Sequence, residues 1–131
     1  MKILIVEDEA LIALNIRDVL EDCGHQVVEI ADDEPSALLA ATHYRPDLAL
    51  VDMRLAGGDN GMEVARKISA MGVAVIFVTG NCPGKLVDEV AIGCLHKPLS
   101  DAQIMAGVAI AEAVVSEAPP PPPPPGMHLF Q

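Results

Sequence analysis

Residues 48–55, Leu-Ala-Leu-Val-Asp-Met-Arg-Leu, constrain the fold more than any other stretch. Four apolar residues follow Pro46-Asp47 and stop at Asp52 without alternation, which predicts a short strand buried on both faces. Such a strand belongs to a parallel sheet covered by helices. Asp52 then stands at its carboxyl end, the edge where open α/β sheets bind ligands. Residues 3–6, Ile-Leu-Ile-Val, have the same form and end in Glu7-Asp8-Glu9.

Between these runs the periodicity changes. Ile12, Ile16, Val19, Leu20 and Cys23 follow helical spacing, with Gly24 placed to stop the helix, and residues 26–31 predict a second strand. Asp32 and Asp33 offer an N-cap, Pro35 suits a first turn, and residues 37–44 predict a helix that ends before Pro46. After Asp52 a glycine-rich loop at 56–59 precedes a helix capped by Asn60, with Glu63 three residues on, which runs to Gly72. Residues 73–78 are all apolar and strongly β-forming, and they end at Thr79. Residues 85–90 leave room only for a brief helix; 92–96 predict a fifth strand ending at Lys97-Pro98. Ser100 with Gln103 forms a capping box for a last helix striped by Ile104, Val108, Ala111 and Val115.

These alternations predict an α/β fold, a doubly wound five-stranded parallel sheet with right-handed crossovers. The domain is expected to occupy residues 1–117. Residues 118–131 form a proline-rich tail, whose seven consecutive prolines predict a semi-rigid spacer of roughly 20 Å before Gly-Met-His-Leu-Phe-Gln. In the tail a disordered spacer is the favoured expectation, with docking through Met127, Leu129 and Phe130 as the alternative.

Composition narrows the function. A net charge of −11 with only eight Lys and Arg opposes binding to nucleic acid and to anionic membranes. Cys23, Cys82 and Cys94 show no spacing that indicates a disulfide frame or a zinc site, so a reduced cytoplasmic setting is expected. No apolar run approaches the roughly 18 residues a membrane span needs.

The strand ends carry the chemistry. In a parallel sheet Glu7-Asp8, Asp52, Thr79 and Lys97 converge on one edge. Clustered carboxylates repel one another unless a cation sits among them, and hard oxygen donors with space for water suit Mg²⁺. With Lys97 and the Thr79 hydroxyl beside them, they would surround an incoming phosphoryl group, and Asp52 would be the nucleophile that forms an acyl phosphate.

Ile-Leu-Ile-Val-Glu-Asp-Glu at 3–9, Leu-Val-Asp-Met-Arg-Leu at 50–55, Val-Thr-Gly at 78–80 and Lys-Pro at 97–98 together resemble the receiver domain of bacterial two-component response regulators. The resemblance covers about residues 2–117 and implies the flavodoxin-like (βα)5 receiver fold. It also implies that Asp52 is the phosphoacceptor, that Asp8 binds Mg²⁺ directly and Glu7 through water, and that the Arg54 backbone carbonyl completes the protein ligands. Thr79 would hydrogen-bond the phosphoryl oxygens, Lys97 would pair with them, and the Lys97-Pro98 bond would be cis. The implied partners are a histidine kinase or histidine phosphotransfer protein and a downstream protein target; a homodimer is among the assemblies allowed, and no DNA-binding output domain is expected.

Three departures stand out. Ala56 replaces the usual proline, which implies altered shielding of the acyl phosphate. Thr79 and Lys97 are only 18 positions apart, about one helical turn short, and Cys94 replaces the usual aromatic. These features resemble a subgroup of stand-alone or anti-sigma-linked receivers of α-proteobacteria with a truncated fourth helix. A Mg²⁺ phosphatase of the haloacid-dehalogenase type is disfavoured, because Arg54 stands where that class needs a second aspartate.

Overall fold

A computed structural model of the chain describes residues 1–80 and 90–129. The brief helix expected within 85–90 lies largely outside them. The described chain runs β1 (Lys2–Val6), α1 (Ala10–Asp22), β2 (Gln26–Ala31), α2 (Glu34–Tyr44), β3 (Leu48–Asp52), a 3-10 turn (Ala56–Gly58) and α3 (Gly61–Ala70). It continues through β4 (Ala74–Thr79), β5 (Gly93–His96), α4 (Asp101–Val115) and β6 (Met127–Leu129).

The strands lie in the order β2-β1-β3-β4-β5-β6; the first five are parallel and β6 pairs antiparallel with β5. Side chains alternate across each strand, so one sheet contributes to two cores. Leu4, Val6, Ala49, Val51, Val75 and Phe77 pack under α2 and α3. Ile3, Ile5, Leu48, Leu50, Ile76 and Val78 pack under α1 and α4. Every residue of β3 is buried, as its unbroken apolar run predicts.

The capping chemistry follows the sequence with one change. Asp33 accepts from Ser36 N–H, and Ser100 and Gln103 complete the predicted capping box. Asn60 accepts from Met62 N–H, while its box with Glu63 does not form.

One expectation is corrected. Residues 127–129 are not spacer: they add the sixth strand, because the open backbone edge of β5 can be satisfied by any extended segment that reaches it. Cys94 is buried within β5, and Cys23 is free and exposed. Among the described residues no helix is long and apolar enough to cross a membrane.

Candidate functional site

The strand order reverses direction at β1 and β3, and the crevice outside their carboxyl ends is where such sheets hold ligands. Glu7, Asp8 and Glu9 follow β1, Asp52 ends β3, Thr79 ends β4, and Lys97 follows β5. The sheet therefore gathers residues up to 90 positions apart.

Lys97 is the hub. Its Nζ lies 2.9 Å from Asp52 Oδ2, 3.0 Å from Glu7 Oε2 and 3.8 Å from Glu9 Oε1. Its backbone N–H donates to the Thr79 carbonyl at 2.9 Å, and the Lys97-Pro98 bond is cis, as the resemblance implies. The Arg54 N–H donates to Asp52 Oδ1 at 3.2 Å and fixes the carboxylate's rotation. A cleft of about 430 Å³ lies over this cluster, lined by Asp8, Glu9, Asp52, Arg54, Thr79, Gly80 and Lys97.

The electrostatics are strained. Glu7 is only 3 % exposed and Asp52 only 6 %. Burial, with the facing Asp52 carboxyl, pushes Glu7 up to about 7, against the opposing pull of Lys97. Burial alone would lower the Lys97 ammonium, but the hydrogen bonds and charges of Asp52 and Glu7 hold it above the ordinary lysine value. One lysine thus faces an excess of acid.

A cation fits this arrangement. Glu7, Asp8, Glu9 and Asp52 each offer a carboxylate oxygen, all within 4.8 Å of one another. Glu7 Oε2 is fully buried and, despite the nearby Nζ, receives no hydrogen bond of acceptable angle. An under-satisfied buried carboxylate oxygen among hard donors suits a small divalent ion such as Mg²⁺.

The structure thus brings together Glu7, Asp8, Asp52, Arg54, Thr79 and Lys97. Sequence reasoning missed two contributors. Glu9, the third consecutive acid, reaches Lys97. Gly61 lets the start of α3 press on the end of β3: its N–H donates to the Met53 carbonyl at 2.9 Å, and a Cβ there would collide with the Asp52 carbonyl oxygen and Met53 Cα. Its signal was a glycine directly after a helix N-cap. A larger cleft of about 630 Å³ opens beside β2 and α2, lined by acids such as Asp8, Glu29 and Asp32. No Lys or Arg lines it, so it suits an anionic phosphoryl group poorly.

Residues 3–109 match the family described as the response regulator receiver domain. The chain is 38 % identical over 80 residues to the phyllosphere-induced regulator PhyR of Methylorubrum extorquens, covering 60 % of this chain and 30 % of that protein. It is 29 % identical over 115 residues to the transcriptional regulatory protein PdtaR of Mycobacterium tuberculosis, covering 84 % of this chain and 56 % of that one. The chain therefore spans about a third to a little over half of these curated relatives. Among solved structures, the signal receiver domain of a modulated diguanylate cyclase from Desulfovibrio desulfuricans superposes with a TM-score of 0.78 at 30 % identity, covering 88 % of this chain and 96 % of that one.

Proposed function

The chain belongs to the response regulator receiver domain family, and from that premise we propose that Asp52 accepts a phosphoryl group from a phosphohistidine donor. The observation that carries the reading is the triangle of Lys97 Nζ with Asp52 Oδ2 at 2.9 Å and Glu7 Oε2 at 3.0 Å, under an open cleft.

Each residue has a distinct task. Arg54 N–H holds Asp52 Oδ1, so that Oδ2 points to the cleft beside Lys97. An electron pair of the Asp52 carboxylate forms the O–P bond as the N–P bond of the donor breaks, and the leaving imidazole takes that bond's electrons. Lys97 turns from the carboxylates to the arriving phosphoryl oxygens, and the Thr79 hydroxyl donates to another. Asp8, Glu7, Asp52 and the Arg54 carbonyl would hold Mg²⁺, with Glu9 beside them. When bound, the ion offsets the repulsion between carboxylate and phosphoryl oxygens. Catalysis here is positioning and charge neutralisation, which suits a self-modifying signalling protein better than a turnover enzyme.

The donor is a histidine kinase or histidine phosphotransfer protein, and the output is a contact with a downstream protein. The charge of −11 disfavours nucleic acid and anionic membrane as direct partners, and the cytoplasm, where such donors present phosphohistidine, is the setting. We place the receiver at residues 1–117 and treat 118–131 as its appendage. The test is intact mass after incubation with Mg²⁺ and a small acyl phosphate. One added phosphoryl group on the wild type, absent in Asp52→Ala, is expected; no addition to the wild type, or addition that persists in the variant, overturns the reading.

A further inference from the structure

We propose that the outer edge of β5 is a protein-docking surface for the tail strand of a second copy of this chain, kept closed by the chain's own tail. The inference stands on the tail and the β5 edge alone and is independent of the chemistry at Asp52.

The edge is built to receive a strand. Gly93, Cys94 and Leu95 pair with Leu129, His128 and Met127, and His96 N–H donates to the Gly126 carbonyl at 2.9 Å. A side chain at Gly93 would run into the His128 carbonyl, so the close approach depends on glycine at that place. Met127 is 7 % exposed and joins the core formed with Leu95, Ile104 and Val108. The imidazoles of His96 and His128 meet edge to face at 5.3 Å. Met127 is therefore the anchor, and the backbone sets the register, the pattern of strand addition to an open sheet edge.

The connection to that strand is a strut. The helix α4 ends in a reversal, with Glu117 in the left-handed region at φ 59° and Ala118 N–H donating to the Ala113 carbonyl at 2.8 Å. From there the prolines run back toward the start of α4, where Gln103 Nε2 donates to the Pro125 carbonyl at 2.8 Å. Fifteen helical residues rise about 22 Å. Seven prolines extend about 22 Å as polyproline. The two lengths match, and a linker gives its cargo the highest effective concentration when its length matches the span.

Exchange between two copies would keep every contact of β6 with β5. Only the hinge would change, and the hinge holds a non-glycine residue, Glu117, at positive φ, a disfavoured conformation that opening relieves. The closed form wins at micromolar concentration because the strut fits. A strut that does not fit removes that advantage and leaves the second copy's strand as the occupant.

The test alters the strut in the full chain. Wild type is expected to sediment as a monomer at micromolar concentration. Deletion of Pro119, Pro120 and Pro121 shortens the strut by about 9 Å, and insertion of three prolines overshoots by as much. Both changes are expected to give dimers that return to monomers when Met127→Asp is added, with mixed isotope labelling showing contacts between His96 of one copy and residues 126–127 of the other. Monomers from both altered struts, with the His96 amide still protected from exchange, overturn the proposal. So does a dimer of any of these chains that survives Met127→Asp.

Discussion

At the scale of single residues, the metal-free site holds one acid, Glu7, that resists ionisation. Glu7 ordinarily titrates near 4.5 and is held at about 7 here, so between these values the folded chain binds more protons than the unfolded one. Stability from this group is full below the ordinary value and is lost as pH rises through the folded one, a cost on the order of 3 kcal/mol above neutrality. Without metal, Glu7→Gln is therefore expected to flatten the pH dependence of the denaturant midpoint between those limits and to exceed wild type above neutral pH. Lys97→Ala should act in the opposite sense, since it strips the shared cation from two buried carboxylates. The expected loss is about 3–5 kcal/mol at alkaline pH, and it shrinks in acid, where Glu7 takes a proton. Chemical unfolding at several pH values checks both. Six of the residues at this site were legible because each follows an apolar run, and strand ends in a parallel sheet must converge. Glu9 and Gly61 were not, since one acts through the reach of its side chain and the other through a collision it avoids.

At the scale of elements, the site depends on how α3 begins. Gly61→Ala places a methyl group against the Asp52 carbonyl and Met53 Cα, so the start of α3 must retreat from β3. An overpacking cost of about 1–3 kcal/mol is expected, together with a shift of the Asp52 and Arg54 amide resonances. Ser100→Ala removes the acceptor for Gln103 N–H and should cost about 1 kcal/mol without disturbing the acid cluster, which makes it the control for simple helix loss. The N-caps Asp33, Asn60 and Ser100, the capping box of Ser100 with Gln103, and the ends of α1 and α2 were readable because they are written in neighbouring residues. The strand at residues 127–129 was not, because a three-residue edge strand after a proline run is defined by a partner 34 positions away and has almost no local signal. Its existence follows from the reach of the strut and the open edge of β5, both properties of the folded sheet.

At the scale of the whole molecule, the parallel order β2-β1-β3-β4-β5 follows from short connections and right-handed crossovers, which leave few alternatives once five apolar runs are recognised. That order places the buried acids Glu7 and Asp52 at the carboxyl edge of the sheet, and a ligand that favours the charged form of Glu7 stabilises the whole cooperative unit. A ligand that binds only the folded chain adds stability by mass action, about 2.7 kcal/mol at a hundred times its dissociation constant. Mg²⁺ is such a ligand if the acid cluster holds it, and it requires Glu7 in the charged form. Its binding should then tighten as pH rises through about 7, the range in which the metal-free fold weakens. Thermal unfolding with Mg²⁺ is expected to show a rise in Tm of several degrees at mildly alkaline pH, a much smaller rise in mild acid, and full reversal by a chelator. Asp8→Asn should lose the increment while keeping the metal-free Tm, because Asp8 is exposed and makes no ion pair with Lys97 among the described residues. An equal Mg²⁺ effect at both pH values, or one retained in Asp8→Asn, would separate the metal from the acid cluster.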